Sequence, residues 1–236
     1  MEAFVNEKKI KTNTEVGRWL SLVGLFVLIA GLIASLTRPD LVLISLGSLI
    51  VGFFCTTVGA YYANHWTRTP RPDQVLSDAL KGISNQYHLY HYLLPVPHVL
   101  LGPTGIYLFR TYINDGQITF DGKRWKQKFS WLRFLGFSGQ DALGDPVREA
   151  MYEVQHFRRW LTKRLPEAEI PEIMPIVVFV RENVELELAE TSVPVLGGNK
   201  LKRALRNLLK ERPEVLNTEQ LYNIERAMFG DKIDEL

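Results

Sequence analysis

The side chains in this chain that could hold a metal or move a proton are few and scattered. Asp115 and Asp121 bracket an expected hairpin, and Glu149 stands near the start of an expected helix. Converging carboxylates could hold a non-standard metal site. Acids at turns equally serve the local backbone, by accepting hydrogen bonds from nearby amides. His88 and His91 resemble a metal pair, but residues three apart on a strand point to opposite faces, and no Cys or acid lies close in sequence. His98, His65 and His156 have no nucleophile in a recognisable context. A second kind of chemistry is suggested by Lys123, Arg124, Lys126, Lys128 and Arg133, interleaved with Trp125, Phe129 and Trp131. Such a run suits stacked bases on a basic track, anionic headgroups with Trp at the interface, or simply a solvated surface. Lys200, Lys202, Arg203, Arg206 and Lys210 share one amphipathic helix whose other face is Leu201, Ala204, Leu205, Leu208 and Leu209, which reads as an ordinary helix with a basic exterior.

The elements that must position these groups divide in two. Trp19–Leu36 and Leu41–Ala63 carry no charged residue, and Thr37-Arg38-Pro39-Asp40 separates them. A run of roughly 18–20 apolar residues can cross the hydrocarbon core as a helix, so two of them joined by a short turn predict a membrane hairpin. The first run is longer than the ~7–15-residue core of a cleaved signal, and a second follows at once; two retained helices are expected. Lys8, Lys9, Lys11 and Arg18 precede the hairpin and Arg68 and Arg71 follow it, which places both ends in the cytoplasm of a cell-membrane protein. Trp19, Tyr61, Tyr62 and Trp66 suit the interface. Gly24 and Gly31, like Gly52 and Gly59, are seven apart; these faces predict packing between the two helices or a homo-oligomer through the same glycines. Neither span contains Asp, Glu, Lys or Arg, which argues against a channel or transporter.

The net charge of +2 comes from the membrane flanks: up to Pro72 there are seven Lys/Arg and four acids, against 21 and 22 in the rest. It is therefore no sign of nucleic-acid binding. Cys55 is the single cysteine, so no intrachain disulfide can form. The expected organisation is a cytoplasmic segment 1–18, helices within 19–66, a stiff linker 67–73 containing Pro70 and Pro72, and a soluble domain 74–236. In the last, a helix to about Ser84 with Asp73 as its cap precedes strands at Tyr87–Leu94, His98–Leu101, Gly105–Tyr112, Gln117–Phe120 and Lys123–Lys126. A helix from Asp145-Pro146, the apolar strand Met174–Val180, short strands at Val184–Leu188 and Val193–Leu196, and helices near Asn199–Glu211 and Thr218–Phe229 follow. That order predicts an α/β domain of three layers with a mixed sheet.

Pro97-His98-Val-Leu-Leu-Gly-Pro-Thr-Gly-Ile-Tyr-Leu-Phe109 with Gly116-Gln-Ile118, then Asp145-Pro146 with Glu149-Ala150 and Pro175-Ile-Val-Val-Phe179, resembles the nuclease-related domain (NERD) family. The resemblance covers most of residues 75–230 and implies a restriction-endonuclease-like fold. In that family, Asp-x-Asp-His precedes the Gly-Pro-x-Gly turn, and the following strand ends Ile-Glu-x-Lys; the acids hold a divalent metal that activates water. Matched residue by residue, the aspartates fall on Pro95 and Pro97, the glutamate on Arg110 and the lysine on Tyr112; His98 matches, and Glu149 replaces a glutamine. The resemblance thus implies a member without its metal ligands, needing no cofactor. The expectation is a membrane-anchored, catalytically degenerate module that binds or scaffolds, with the bilayer, a nucleic acid or a protein as partner. Its candidate binding residues are Arg110, Lys123, Arg124, Trp125, Lys126, Lys128, Trp131 and Arg133. The alternative is a metal-dependent nuclease with relocated ligands, for which Asp115, Asp121 and Glu149 are the remaining candidates.

Overall fold

The computed structural model describes residues 1–128 and 143–230. Within it the chain forms two compact units, one of residues 7–71 and the other of the described remainder. In the first, α1 (Glu7–Thr37) and α2 (Val42–Tyr62) are joined by a 3₁₀ turn at Pro39–Leu41, and α2 runs into a π-helical turn at Ala63–Thr67. Both helices are long and apolar enough to cross a membrane. Their burial is inverted relative to a soluble pair. Leu43, Leu36 and Phe26 are 84%, 76% and 70% exposed, whereas Gly17, Gly24, Gly31, Gly52 and Gly59 are buried.

These glycines lie at the contact of the two helices. A Cβ on Gly24 would come within 2.9 Å of the Thr56 backbone nitrogen, and one on Gly31 or Gly52 would meet Ser48 or Leu28. Small residues every seven positions keep a backbone-close seam on one side of each helix. Ser21 and Thr56 hydroxyls donate to the carbonyls of Gly17 (2.9 Å) and Gly52 (2.8 Å), so the seam exposes no unsatisfied hydroxyl at those positions. Thr14 Oγ1 donates across the hairpin to the Trp66 carbonyl at 3.2 Å. Gly24, Gly31, Gly52 and Gly59 are thereby occupied within one chain.

The second unit is built on a six-stranded mixed sheet in the order β1-β2-β3-β4-β7-β9. Its strands are β1 (Glu2–Val5), β2 (His88–His91), β3 (His98–Gly102), β4 (Gly105–Tyr112), β7 (Ile173–Phe179) and β9 (Val195–Gly197). A three-stranded sheet, β6-β5-β8, comprises β5 (Gly116–Phe120), β6 (Trp125–Gln127) and β8 (Val184–Leu188). The helices are α3 (Pro72–Leu80), α4 (Pro146–Leu161), α5 (Leu201–Lys210) and α6 (Thr218–Phe229). Alternation along β4 assigns the layers. Tyr107 and Phe109 pack with Leu76 and Leu80 of α3 and Leu201, Leu205 and Leu209 of α5. Ile106 and Leu108 pack with Phe157 and Leu161 of α4 and Ile224 and Met228 of α6. The domain is thus the expected α/β arrangement with a mixed sheet.

Local chemistry explains most boundaries. The β3–β4 hairpin turns at Pro103-Thr104, where Gly105 adopts φ +120°, a conformation other residues rarely reach. Thr104 Oγ1 binds the hydroxyls of Tyr87 (3.0 Å) and Tyr107 (2.7 Å), so the turn is braced from both sides. Asp145 caps α4 by accepting from Arg148 N, with Pro146 in the first turn. Asn217 and Gln220 form a reciprocal capping box on α6.

Three features differ from the sequence expectation. Asp73 lies inside the first turn of α3 and is buried, since the helix starts at Pro72. The strand expected to reach Leu94 stops at His91, because Tyr92 takes φ +61° and turns the chain away. The third is β1. No strand is expected before the hairpin, yet Glu2–Val5 pairs in parallel with His88–His91, and Asn6 N donates to the His91 carbonyl at 3.1 Å. Four residues with the apolar core Ala3-Phe4-Val5 are too short a signal to stand out beside a basic leader. The segment 1–18 is therefore split: its first six residues belong to the α/β unit and the rest to α1.

Candidate functional site

On β4 the residues after Leu108 that point toward α4 are Arg110 and Tyr112. On α4 the residues one turn apart that meet them are Glu149 and Glu153. Arg110 divides its fork between the two acids: Nη1 donates to Glu153 Oε1 at 2.7 Å and Nη2 to Glu149 Oε2 at 2.8 Å. Tyr112 Oη donates to the same Glu149 oxygen at 2.7 Å, and the guanidinium carbon lies 5.3 Å from the Tyr112 ring centre. The Arg110 side chain is 33% exposed and Glu153 19%. Burial works against the guanidinium charge, but Glu153, Tyr112 and Glu149 outweigh it and hold Arg110 above its ordinary range. Glu153 is pushed above the usual carboxylate range by burial, with Arg110 opposing and Glu149 adding to the rise. Burial, reinforced by the bond to Glu149 and opposed by Arg110, raises the Tyr112 phenol. Arg110 Nε and Glu153 Oε2 are buried without a hydrogen-bond partner among the described residues.

This arrangement is an ionic brace. A guanidinium bonded to one oxygen of each carboxylate competes with a divalent ion for the pair, and it repels such an ion directly. The residues therefore do not fit a catalytic metal. The β3–β4 register, with Val99 opposite Leu108, runs on toward Pro97 opposite Arg110. The positions that the family resemblance assigns to metal ligands thus gather at one end of the sheet. They are filled by proline, which offers no side-chain donor, and by an arginine.

Among the described residues, the other sequence candidates have partners elsewhere. Asp115 follows β4 and accepts from Asn183 Nδ2 at 3.3 Å. Asp121 holds the β5–β6 turn, accepting from the amides of Lys123 (3.0 Å) and Arg124 (2.8 Å) and pairing with Lys126 Nζ at 2.9 Å. Lys126 and those two amides keep its carboxyl well below the usual range. No group of three or more His, Cys, Asp or Glu is placed to hold a metal among the described residues. Lys123, Arg124 and Lys128 are exposed on or beside β6, and Trp125 stacks on Phe120 with ring centres 4.6 Å apart. Opposite Thr119, the cross-strand neighbour of Lys126, β8 presents Glu187, so this small sheet carries mixed charge. Arg110 shares no hydrogen bond or ion pair with the basic run among the described residues. Trp131 and Arg133, with Phe129, lie outside the described residues.

The histidines acquire partners that their sequence neighbourhood lacks. His88 Nδ1 bonds to Glu225 Oε1 of α6, which also accepts from Tyr90 Oη. His88 is raised from its ordinary 6.5 chiefly by that bond, while burial opposes the rise. Burial opposes ionisation of Glu225, but His88 and Tyr90 together hold it below its ordinary 4.5. On the opposite sheet face, His91 and His98 face each other across β2–β3 with their Nδ1 atoms 2.8 Å apart, and Ser77 Oγ meets His91 Nε2 at 3.0 Å. His98 is fully buried and held well below its ordinary value by burial and by His91. Sequence reasoning missed Glu153, Ser77 and Glu225. Only Glu153 left a trace, its i,i+4 relation to Glu149 on one helix face.

Residues 72–180 match the family model described as the nuclease-related domain. The match spans α3, β2 through β7 and all of α4, including Arg110, Tyr112, Glu149 and Glu153. Neither a curated protein nor a solved structure matches the chain.

Proposed function

We propose that the nuclease-related segment 72–180 serves here as a membrane-anchored, catalytically degenerate module that binds or scaffolds on the cytoplasmic face. The observation that carries this reading is Arg110, whose guanidinium is bonded to both Glu149 and Glu153 at the end of β4. A cation built into the chain at that place is incompatible with the two-charge ion that phosphodiester hydrolysis of this kind uses. Anchoring is supported by two helices long and apolar enough to span a bilayer, with outward apolar side chains and inward glycines. The orientation is supported by Lys8, Lys9, Lys11, Arg18, Arg68 and Arg71 at the two ends of the hairpin. The ends agree because β1 and β2 belong to one sheet, so the chain enters and leaves the hairpin from one domain.

The test is a cleavage assay on the full chain in lipid nanodiscs, with labelled DNA and RNA and added Mg²⁺ or Mn²⁺. No metal-dependent cleavage is expected, and Mn²⁺ should show no bound signal by electron paramagnetic resonance. The rival reading, a metal-dependent nuclease with relocated ligands, draws on the one pair of carboxylates that does converge beside β4. Cleavage that disappears in both Glu149→Gln and Glu153→Gln would establish that rival and overturn the degenerate reading.

A further inference from the structure

On the described surface of the α/β unit, the outward face of α5 carries basic residues and no acid. In α5 and the turn before it, Lys200, Lys202, Arg203 and Lys210 are exposed, Asn207 is exposed between them, and Leu201, Leu205 and Leu209 are buried. From Asn199 to Lys210 there is no acid. None of the four cations takes part in an ion pair with a described residue. Arg206 is different: it donates to the Lys81 carbonyl and so clamps α5 to the end of α3. By comparison, the Lys123–Lys128 run has Lys126 paired with Asp121, and Glu185 and Glu187 lie on β8 of the same small sheet.

Covalent connection supplies the second argument. β1 ends at Val5 and α1 starts at Glu7, leaving Asn6 alone between sheet and hairpin. At the other end, residues 68–71 separate the π-helical turn from α3, a reach of about 14 Å at ~3.5 Å per residue. Two connections this short tether the domain to any bilayer that the hairpin spans. The screening length at physiological ionic strength is about 8 Å, so a solvated basic helix that comes within this range of an anionic headgroup layer is attracted to it. Tethering also makes docking intramolecular, which favours the bilayer over any freely diffusing polyanion.

We propose that the Lys200, Lys202, Arg203 and Lys210 face of α5 docks on anionic lipid headgroups of the membrane that the hairpin spans. This goes beyond the degenerate-module reading and rests only on its membrane anchoring. Each cation near such a surface strengthens attraction roughly fivefold, so removing three weakens docking roughly a hundredfold.

The experiment uses the full chain with Cys55→Ser and Asn207→Cys, labelled at 207 with an environment-sensitive fluorophore. It is reconstituted into nanodiscs of phosphatidylcholine alone or with phosphatidylglycerol, each containing headgroup-region spin-labelled lipid. The expected result is quenching in the anionic discs that is lost in phosphatidylcholine, lost at high salt, and lost in Lys202→Gln/Arg203→Gln/Lys210→Gln. If the triple variant unfolds early, the lipid and salt dependence of the parent protein decides instead. Equal quenching in both lipids overturns the proposal, as does salt-sensitive binding of a DNA oligonucleotide through these lysines with no lipid-dependent quenching. Failure to co-elute with discs of either composition overturns the anchoring and the proposal with it, whereas metal-dependent cleavage overturns only the degenerate reading.

Discussion

At the scale of the residue, Arg110 joins β4 to two carboxylates of α4. Its charge is matched by two carboxylates, and neither of those can be left alone without cost. Arg110→Ala leaves Glu149 and Glu153 one turn apart with no cation between them. Removing one partner of a fully buried ion pair costs ~3–5 kcal/mol; with a third of the Arg110 side chain open to solvent, about 2 kcal/mol is expected. Thermal unfolding of the purified chain followed by circular dichroism checks this, and Glu153→Gln in the same background should restore part of the loss. Mg²⁺ should not raise the melting temperature of the parent protein, because the Arg110 guanidinium already pairs with both carboxylates. The His88–Glu225 contact predicts a pH dependence with a definite sign. His88 is raised from 6.5, so its contribution is present below that value and fades as pH climbs through the folded value. Glu225 is lowered from 4.5, so its contribution is present above that value and fades as pH falls through the folded one. The pair is strongest in the mildly acidic window between about 4.5 and 6.5. Melting temperatures across pH 4–8 should peak there, and Glu225→Gln should flatten the peak.

At the scale of the element, the hairpin seam and the strand β1 show what short motifs accomplish when geometry is tight. The seven-residue spacing of Gly24 and Gly31, and of Gly52 and Gly59, is visible in the sequence and predicts packing within the hairpin, with oligomerisation as the alternative. In the structure each of these glycines is buried against the other helix of the same chain. A side chain at Gly24 meets the Thr56 backbone, which cannot move aside without shifting α2. Gly24→Leu is therefore expected to cost about 1–3 kcal/mol of hairpin stability and to lower energy transfer between fluorophores placed at the hairpin's ends. The caps of α4 and α6 are of the opposite kind. Asp145-Pro146 and Asn217-x-x-Gln220 are local signals, and both helices begin where those residues predict. Asp145→Ala should cost about 1 kcal/mol by the same thermal measurement and, through the tilt of Glu149, loosen the Arg110 brace.

At the scale of the whole molecule, the sequence divides into hairpin and soluble domain, but the connectivity is interleaved. The chain starts in the sheet, leaves through α1, returns through α2 and completes the sheet afterwards. A fragment beginning at Asp73 therefore lacks the edge strand that covers β2, and with it the stack of Phe4 on Tyr90, whose ring centres are 5.4 Å apart. Such a fragment should be less stable than the full chain and prone to associate through the bared β2 edge; size-exclusion chromatography at rising concentration tests this. Phe4→Ser in the full chain, expected to cost about 1–2 kcal/mol through lost aromatic packing, separates the loss of the side chain from the loss of the strand.

The sequence by itself determined the elements with a periodic or local signature: two uncharged runs long enough for a bilayer, the Gly102–Gly105 turn, the strands at 105–112 and, one residue off, 174–180, and the helix that starts at Asp145-Pro146. It also showed, through the resemblance at Pro95, Pro97, Arg110 and Tyr112, that the expected acids are missing. These features are legible because helix and strand periods, turn conformations and side-chain types are set by residues close in the chain. Only the tertiary structure decided that Arg110 binds Glu149 and Glu153 across 39 and 43 residues, that Glu225 reaches His88 across 137, and that Glu2–Val5 closes the sheet. Those pairings follow from which strand lies beside which and in what register, and a register is selected by burial of the whole sheet, not by the few residues that meet in it.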